Sequence, residues 1–594
     1  MRTFSITTLG CKVNQYESEQ IAAVLRARGL SLVRDPAAAD LRIINTCSVT
    51  TDAASKSRQT IRRTTRLPVL AGDAGRVCGN VAKGGAVSPK PPFAARGGPL
   101  GERSLPQLPP ADASPGQRVI VTGCWATSNK PDAHGFPGVS AVIGHHDDVA
   151  AELNHLLDGW TEHGDAAVPA EIVPPVPSLA ESTGVPVQMR ARPVSPGTTC
   201  LPLLADHQTG RQRALLKIQD GCDAHCTYCI IPKLRPTLWS KPVAQAVDEA
   251  RRLVDAGHHE IVLTGIFLSA YGQSTALRRR QLHQQWDGHS CLSSDGRAGD
   301  APVQWDGHSC LSSDGRAGDA PVQWDRHSCL SSDGRAGDAP VQWDRHSCLS
   351  SDGRAGDIPV PPRPSESLAC LIEALCTRVP NLKRLRLSSL EPGDLSGDLL
   401  AVLRAHPQIT PHFHVPLQSG SDAILRRMNR QYTRDDFLRM IDQVRAAFDR
   451  PAFTTDIIAG FPGETDAKFE QTLAVVDRAR FIHIHAFRFS ARPGTAAARW
   501  TRDFVHGPIV NTRIASLGTR AAAASLEFRS QFVGQTMTVM VEPGDGSIRH
   551  GRSERYFSVH FDGGDMPAGR CVTVRIDRVT PARTHGTLLE RPQP

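Results

Sequence analysis

The sequence predicts an α/β protein in three parts: an amino-terminal parallel α/β domain, an incomplete parallel (β/α)6 barrel and a small carboxy-terminal antiparallel β-barrel. Three patterns carry that expectation. Apolar strands ending in a cysteine recur between helices in the first part, six strand–helix units follow in the second, and the hydrophobic period falls to two in the third.

In the first part (1–163), Phe4–Leu9 runs into Gly10-Cys11, Leu41–Ile44 into Asn45-Thr46-Cys47, and Val119–Val121 into Thr122-Gly123-Cys124. Ile21, Val24 and Leu25 form the apolar stripe of a helix stopped by Gly29. Asp52 opens a basic helix carrying Lys56, Arg58, Arg62, Arg63 and Arg66, which could meet phosphates or simply face water. Val149, Leu153, Leu156 and Leu157 mark one face of a later helix. Strands alternating with helices imply a parallel sheet, whose carboxyl edge is where ligands bind. Cys11, Cys47 and Cys124 are all expected at that edge. Cys78 is a rival for the third place, but no strand precedes it and Cys124 is preferred.

The second part (209–505) opens with strand Leu215–Gln219, which leads into Gly221-Cys222-Asp223-Ala224-His225-Cys226-Thr227-Tyr228-Cys229. The stripe Val243, Val247, Ala250 and Val254 precedes strand Ile261–Thr264, and Leu368, Leu371, Ile372 and Leu375 precede Leu385–Ser388. Phe413–Leu417, Phe453–Ile458 and the alternating Phe481–Phe487 bring the strands to six, enough for an open parallel barrel. A connecting helix is expected over 506–533. In the last part (534–594), Met537–Val541, Tyr556–Phe561 and Val572–Ile576 alternate between Gly-rich turns, as short strands of a small barrel do.

Three stretches interrupt this pattern. Residues 67–117 are rich in Gly, Pro and Ala without periodicity, and 164–208 read as a Pro-rich linker. Within 274–364 the unit WDGHSCLSSDGRAGDAPVQ recurs every 19 residues, with Trp286, Trp305, Trp324 and Trp343 in register. Its copies are nearly identical and contain few core-forming residues, so disorder is the expectation. The insertion follows the second barrel strand, on the active face, where it is expected to be a tolerated passenger.

Composition narrows the function classes. No apolar run approaches the roughly 18 residues that span a membrane, and Met1–Ile6 lack an export signal's apolar core. A cytoplasmic protein is expected. The 68 Lys and Arg against 60 Asp and Glu give a formal +8, which permits a polyanionic partner without demanding one. Fifteen cysteines, an odd number without an export signal, point to metal ligation more than to disulfides.

The cysteines at 222, 226 and 229 have the spacing C-x3-C-x2-C. Three thiolates leave one iron of a four-iron cluster free to chelate a small molecule. A structural zinc site would want a fourth ligand, and His225 is badly placed between two of the cysteines.

This spacing resembles that of the radical S-adenosylmethionine (SAM) superfamily, whose barrel matches the second part. Pro416–Ser421 and Asp456–Glu464 look like that superfamily's strand-end loops for the SAM ribose and adenine, and Thr264-Gly265 like its methionyl-amine site. The resemblance thus implies SAM contacts at Thr264, Gly265, Gln418, Ser419, Gly420, Asp456, Gly460 and Gly463. With Leu9–Glu19, Asn45–Cys47, Thr122–Cys124 and Gly221–Pro232, the chain outside its two insertions resembles the methylthiotransferases. That family joins a three-cysteine domain, a radical SAM barrel and a TRAM domain. The run Gly10-Cys11-Lys12-Val13-Asn14-Gln15-Tyr16-Glu17 is most like the MtaB type, which acts on N6-threonylcarbamoyladenosine at position 37 of tRNA. Relatives acting on isopentenyladenosine usually carry Gln-Met after the first cysteine.

The resemblance implies two 4Fe-4S clusters, one on Cys222, Cys226 and Cys229 for reductive SAM cleavage and one on Cys11, Cys47 and Cys124 carrying the sulfur. It also implies a tRNA anticodon loop as substrate, with an electron donor and a sulfur donor as partners. An unactivated aromatic C–H has no usable acidity, so cofactors must supply the chemistry. Arg235-Pro236 and Lys241 depart from the family pattern and are expected near the substrate mouth. His412, His414, His483 and His485 alternate along strands and are read as core or surface residues without a role. The competing readings are a methylthiotransferase acting on isopentenyladenosine or on a ribosomal protein, and a non-catalytic iron–sulfur RNA-binding protein.

Overall fold

The computed structural model describes residues 1–67, 118–162, 204, 212–273, 367–395, 397–544 and 546–589. The expectations for residues 68–117, for the repeats, for Cys78 and for nearly all of the linker lie outside the described residues.

The first part is a five-stranded parallel sheet of β1 (Thr3–Thr8), β2 (Ser31–Leu32), β3 (Leu41–Thr46), β4 (Arg118–Gly123) and β5 (Ala141–Ile143), in the order β2-β1-β3-β4-β5. Helices α1 (Lys12–Ala27), α2 (Thr51–Thr65), α3 (Cys124–Ser128), α4 (Lys130–His134) and α5 (Val149–Glu162) connect and cover it. One face packs Phe4, Leu25, Ile43, Ile120 and Leu157. The other packs Ile44, Ile61, Val121 and Trp125. Burial on both faces explains why β3 and β4 read as continuous apolar runs. Strands β2 and β5 were not expected, because two and three residues are too few to show a period.

The barrel strands are β6 (Ala214–Asp220), β8 (Glu260–Gly265), β9 (Arg384–Leu387), β10 (His412–His414), β11 (Ala452–Ala459) and β12 (His483–Arg488). They pair in parallel and in chain order, with single bridges Leu385↔Ile409 and Ser389↔His414 carrying the sheet from β9 to β10. A two-residue strand β7 (Trp239–Ser240), also unexpected, lies antiparallel on the free edge of β6. Outside lie α6 (Ile231–Leu234), α7 (Val243–Asp255), α8 (Leu368–Arg378), α9 (Gly397–Ala405), α10 (Asp422–Arg427), α11 (Arg434–Ala447) and α12 (Asp466–Ala479).

Along these strands one set of alternate residues (Leu385, Leu387, Phe413, Phe453, Ile457 and Ile484) joins the main core. The other set is polar: Arg384, Arg386, His412, His414, Thr454, Asp456, His483 and His485. A strand's period of two therefore turns a polar wall toward the lumen. Leu204, from the stretch expected to be linker, is instead buried in the main core and donates its N–H to Glu249 Oε1 at 3.2 Å.

Helix α13 (Gly507–Ser530) connects to the last part. There β13 (Thr536–Val541), β14 (Ile548–Ser553), β15 (Ser558–Asp562), β16 (Cys571–Val579) and β17 (Thr584–Leu588) close into a barrel in the order β13-β14-β15-β17-β16. Strands β14 and β17 escaped the sequence reading because they are largely polar. Closing a sheet recruits such segments, since an unpaired edge leaves backbone groups unsatisfied. The barrel is antiparallel along its other seams, as expected, and β15 meets β17 in parallel at the single pair His560↔His585. Among the described residues, no helix is long and apolar enough to cross a membrane.

Candidate functional site

The first triad of cysteines follows the carboxyl ends of β1, β3 and β4, three neighbours in one sheet. Gly10 turns the chain with φ +101°, and a Cβ there would stand 2.8 Å from Cys47 Sγ, so the Cys11 turn abuts Cys47. Asn14, in the first turn of α1, has Oδ1 3.8 Å from both Cys11 Sγ and Cys124 Sγ. Its Nδ2 donates to the carbonyls of Leu9 (3.0 Å) and Thr46 (2.9 Å). One buried amide thus ties three strand ends together, a role not assigned from sequence; its only signal was a place three residues after Cys11. The three thiols are free. Burial pushes the Cys124 thiol up to about 12 and raises Cys47 as well. Such thiols stay neutral until a metal takes the proton's place.

The second triad lies in the loop after β6. Gly221 begins it at φ +79°, where a Cβ would stand 1.9 Å from the Thr237 carbonyl oxygen. The Cys222 N–H donates to the Arg235 carbonyl at 3.1 Å, and the Cys229 N–H to that of Cys226 at 3.0 Å. Thr227 Oγ1 donates to the Arg427 carbonyl at 2.8 Å, which fastens the loop to α10. Arg430 Nη1 lies 3.4 Å from Cys226 Sγ, while its Nη2 is held by Glu391 Oε1 at 2.6 Å. That donor to the Cys226 sulfur was also missed, since 204 residues separate it from the cysteine. Burial drives the Cys229 thiol up to about 12. His225 is exposed. Gly221→Ala should cost about 2–4 kcal/mol in strain and displacement; a lower unfolding midpoint and reduced iron uptake would show it.

The two triads meet at α6. Cys124 packs with Ile230, next after Cys229, and with Leu234 at the end of α6. Arg235 then links both parts, donating from Nη1 and Nη2 to the two oxygens of Glu17 at 2.8 and 2.9 Å. It also reaches Asp220 at 2.8 Å and His145 Nε2 at 3.0 Å. Burial would raise both carboxyls, but Arg235 and Lys217 hold Asp220 down at about 2 and Glu17 well below its usual value. Burial and Arg235 push His145 down to about 4. Across the same seam Arg492 Nη2 donates to Ser48 Oγ at 2.5 Å, and within the barrel part Lys233 Nζ donates to the Gly494 carbonyl at 2.6 Å. Arg235 is therefore a buried clamp, whereas Lys241, expected near the substrate mouth, is buried against Glu249 and Tyr16 instead.

The strand-end loops lie at the carboxyl edge of the barrel. Thr264 and Gly265 end β8. Gln418 bonds to β11 through the Asp456 carbonyl and the Ile458 N–H, at 2.8 and 3.0 Å. Ser419 is buried, and a Cβ on Gly420 would meet Thr472 Cα at 2.6 Å, so this turn packs tightly on α12. Gly460 lies against Val510 and Gly463 against Arg427, where any larger side chain would collide. Asp456 faces the lumen, 3.4 Å from His414 Nε2, and His485 completes a close trio with them. His412 and His414 both bond Thr454 Oγ1 at 3.0 Å, so the four histidines read as core or surface form part of the polar lumen.

Two family models match the chain: an uncharacterised protein family, UPF0004, over residues 3–83, and the radical SAM superfamily over residues 365–476. The chain is 27% identical over 581 residues to the threonylcarbamoyladenosine tRNA methylthiotransferase MtaB of Bacillus subtilis, covering 97% of this chain and 94% of that protein. It is 29% identical over 596 residues to the tRNA-2-methylthio-N(6)-dimethylallyladenosine synthase 1 of Mycobacterium marinum, covering 98% and 84%. To the threonylcarbamoyladenosine tRNA methylthiotransferase MtaB of Thermotoga maritima it is 26% identical over 543 residues, covering 91% and 87%.

Proposed function

We propose that this chain, a radical SAM methylthiotransferase, converts N6-threonylcarbamoyladenosine at position 37 of tRNA to its 2-methylthio derivative. The observation that carries the reading is the meeting of two free cysteine triads at one short helix, α6. In this reading Cys222, Cys226 and Cys229 hold one 4Fe-4S cluster and Cys11, Cys47 and Cys124 the other. When bound, the clusters and SAM supply the hydrogen abstraction and sulfur transfer that no acid or base can perform at adenine C2.

The chain's own residues bind, orient and exclude water. Thr264, Gly265, Gln418, Ser419, Gly420, Asp456, Gly460 and Gly463 form the SAM cradle. Arg430 donates to the Cys226 sulfur, an outer contact of the kind that tunes a cluster. Arg235 seals the seam between the triads. Exposed Lys56, Arg62, Arg63 and Arg66 on α2 offer phosphate contacts, and the terminal barrel acts as a TRAM-like RNA module. The domain limits are 1–163, 209–505 and 534–594, joined by the linker and by the connecting helix at 506–533. An electron donor and a sulfur donor act with it in the cytoplasm. A base in the anticodon loop is single-stranded and can be splayed into the lumen.

The name printed for the Mycobacterium marinum relative favours a second substrate, isopentenyladenosine. Mass spectrometry of tRNA nucleosides from cells lacking the chain separates the two. Loss of 2-methylthio-threonylcarbamoyladenosine supports the proposal, and loss of the 2-methylthio-isopentenyl nucleoside supports the second reading. No change in either, together with no 5′-deoxyadenosine from reduced protein, would leave a non-catalytic iron–sulfur RNA binder.

A further inference from the structure

The β14–β15 turn of the terminal barrel enters the base of the large barrel with Tyr556 at its tip. The Tyr556 ring stacks on His412 at 4.5 Å between centroids and 20° between planes. Three guanidiniums surround it, Arg552 at 4.9 Å, Arg386 at 5.0 Å and Arg213 at 5.5 Å from the ring centroid. The acids present do not balance this charge. Glu260 is shared by Arg384 (3.2 Å) and Arg386 (2.8 Å). Glu542 is shared at a distant 3.5 Å by Arg213 and Arg552, and Asp456 faces His414.

Among the side-chain atoms buried here without a hydrogen-bond partner are Nη1 of Arg386 and Nδ1 of His412. A buried guanidinium N–H left unpaired costs stability, and such an atom in a folded protein calls for a ligand or a reason. Lys12, which opens α1, lies within electrostatic reach of this enclosure: burial lowers its ammonium's pKa, and the charged groups acting on it are Tyr556, Arg213, Arg386 and Asp456. No ion pair to Lys12 occurs among the described residues. Burial would raise the Tyr556 hydroxyl, yet Arg213 and its neighbours hold it below its usual value, as a positive enclosure must.

We propose that Lys12, Arg386 and the Tyr556 enclosure form an anion subsite in the lumen that receives the carboxylate of the threonylcarbamoyl group. The inference rests on the substrate proposed above and assigns the residues that select it. A threonylcarbamoyl substituent ends in a carboxylate and a hydroxyl, which match an ammonium beside a guanidinium edge. An isopentenyl group would take Lys12 and Arg386 out of water and give them no partner. Such a site rejects the wrong substrate by leaving its own polar groups unpaired, a stronger filter than shape.

The test uses the full chain reconstituted with iron and sulfide, and anticodon stem–loop RNAs bearing threonylcarbamoyladenosine, its methylamide or isopentenyladenosine at position 37. Wild type should bind the acid at least about tenfold more tightly than the methylamide by fluorescence anisotropy. Lys12→Gln should bring that ratio to within about twofold, and Lys12→Arg should keep most of it, at equal iron content. Equal binding of acid and methylamide by wild type, or an unchanged ratio in Lys12→Gln, would overturn the subsite. Methylthiolation of the isopentenyl RNA but not the threonylcarbamoyl RNA by wild type would instead overturn the substrate reading itself.

Discussion

Alanine in place of Cys11, Cys47 or Cys124 should abolish methylthiolation while reductive formation of 5′-deoxyadenosine from SAM continues. The two triads lie on separate segments, three strand ends on one side and a single loop on the other, so loss of one should spare the other. With two thiolates remaining, a four-iron cluster has too few protein ligands to persist. Iron content of anaerobically reconstituted protein should fall from about eight to about four atoms per chain. Removing one buried sulfur from Cys47 or Cys124 costs only about 1 kcal/mol in packing, so the fold should survive. Alanine at Cys222, Cys226 or Cys229 should instead stop both SAM cleavage and methylthiolation. Unchanged iron in the Cys124→Ala protein, or loss of SAM cleavage with it, would refute the assignment of two separate sites.

Arg235→Met should lower stability by about 3 kcal/mol, because it leaves Glu17 and Asp220 buried without their main cation. Lys217 remains 2.9 Å from Glu17 and 2.5 Å from Asp220, which keeps the loss from being larger. At this chain length the unfolding midpoint should fall by about 5 °C. The pH dependence identifies the cause. In the wild type Asp220 is held at about 2 and Glu17 is also depressed, so their stabilisation is complete above the unfolded carboxyl range. That range lies near ~4, and the stabilisation drains away as pH falls through the folded values. In the variant the same carboxyls lose most of the charge that depressed them, and protonation relieves them. The gap between the two proteins should therefore be widest near neutrality and close toward about pH 3. A gap constant with pH would mean that Arg235 acts by packing alone.

How far these sites were legible in the sequence follows from range. The strand–cysteine junctions at Cys11, Cys47 and Cys124 stood out because each is a local event: a short apolar run, a turn, then a polar helix start. The loop Cys222–Cys229 was legible for the same reason, and so was the period of two in β13, β15 and β16. Strands β2, β5 and β7 were too short to carry a period, and β14 and β17 too polar to show one. Arg430 gave no signal and Asn14 only its place three residues after Cys11, since what makes them important is the sulfur beside them in space.

The order of the elements, the places of six cysteines at strand ends and in one loop, and the parallel character of both large sheets were determined by the sequence alone, through spacing that repeats within a dozen residues. Tertiary structure alone decided that Cys124 packs on α6, that Arg235 joins Glu17 across 218 residues, and that Tyr556 of the last barrel meets His412 of the large one. Such contacts follow from how sheets pair and faces pack, and no local period encodes which distant partner a buried charge will find.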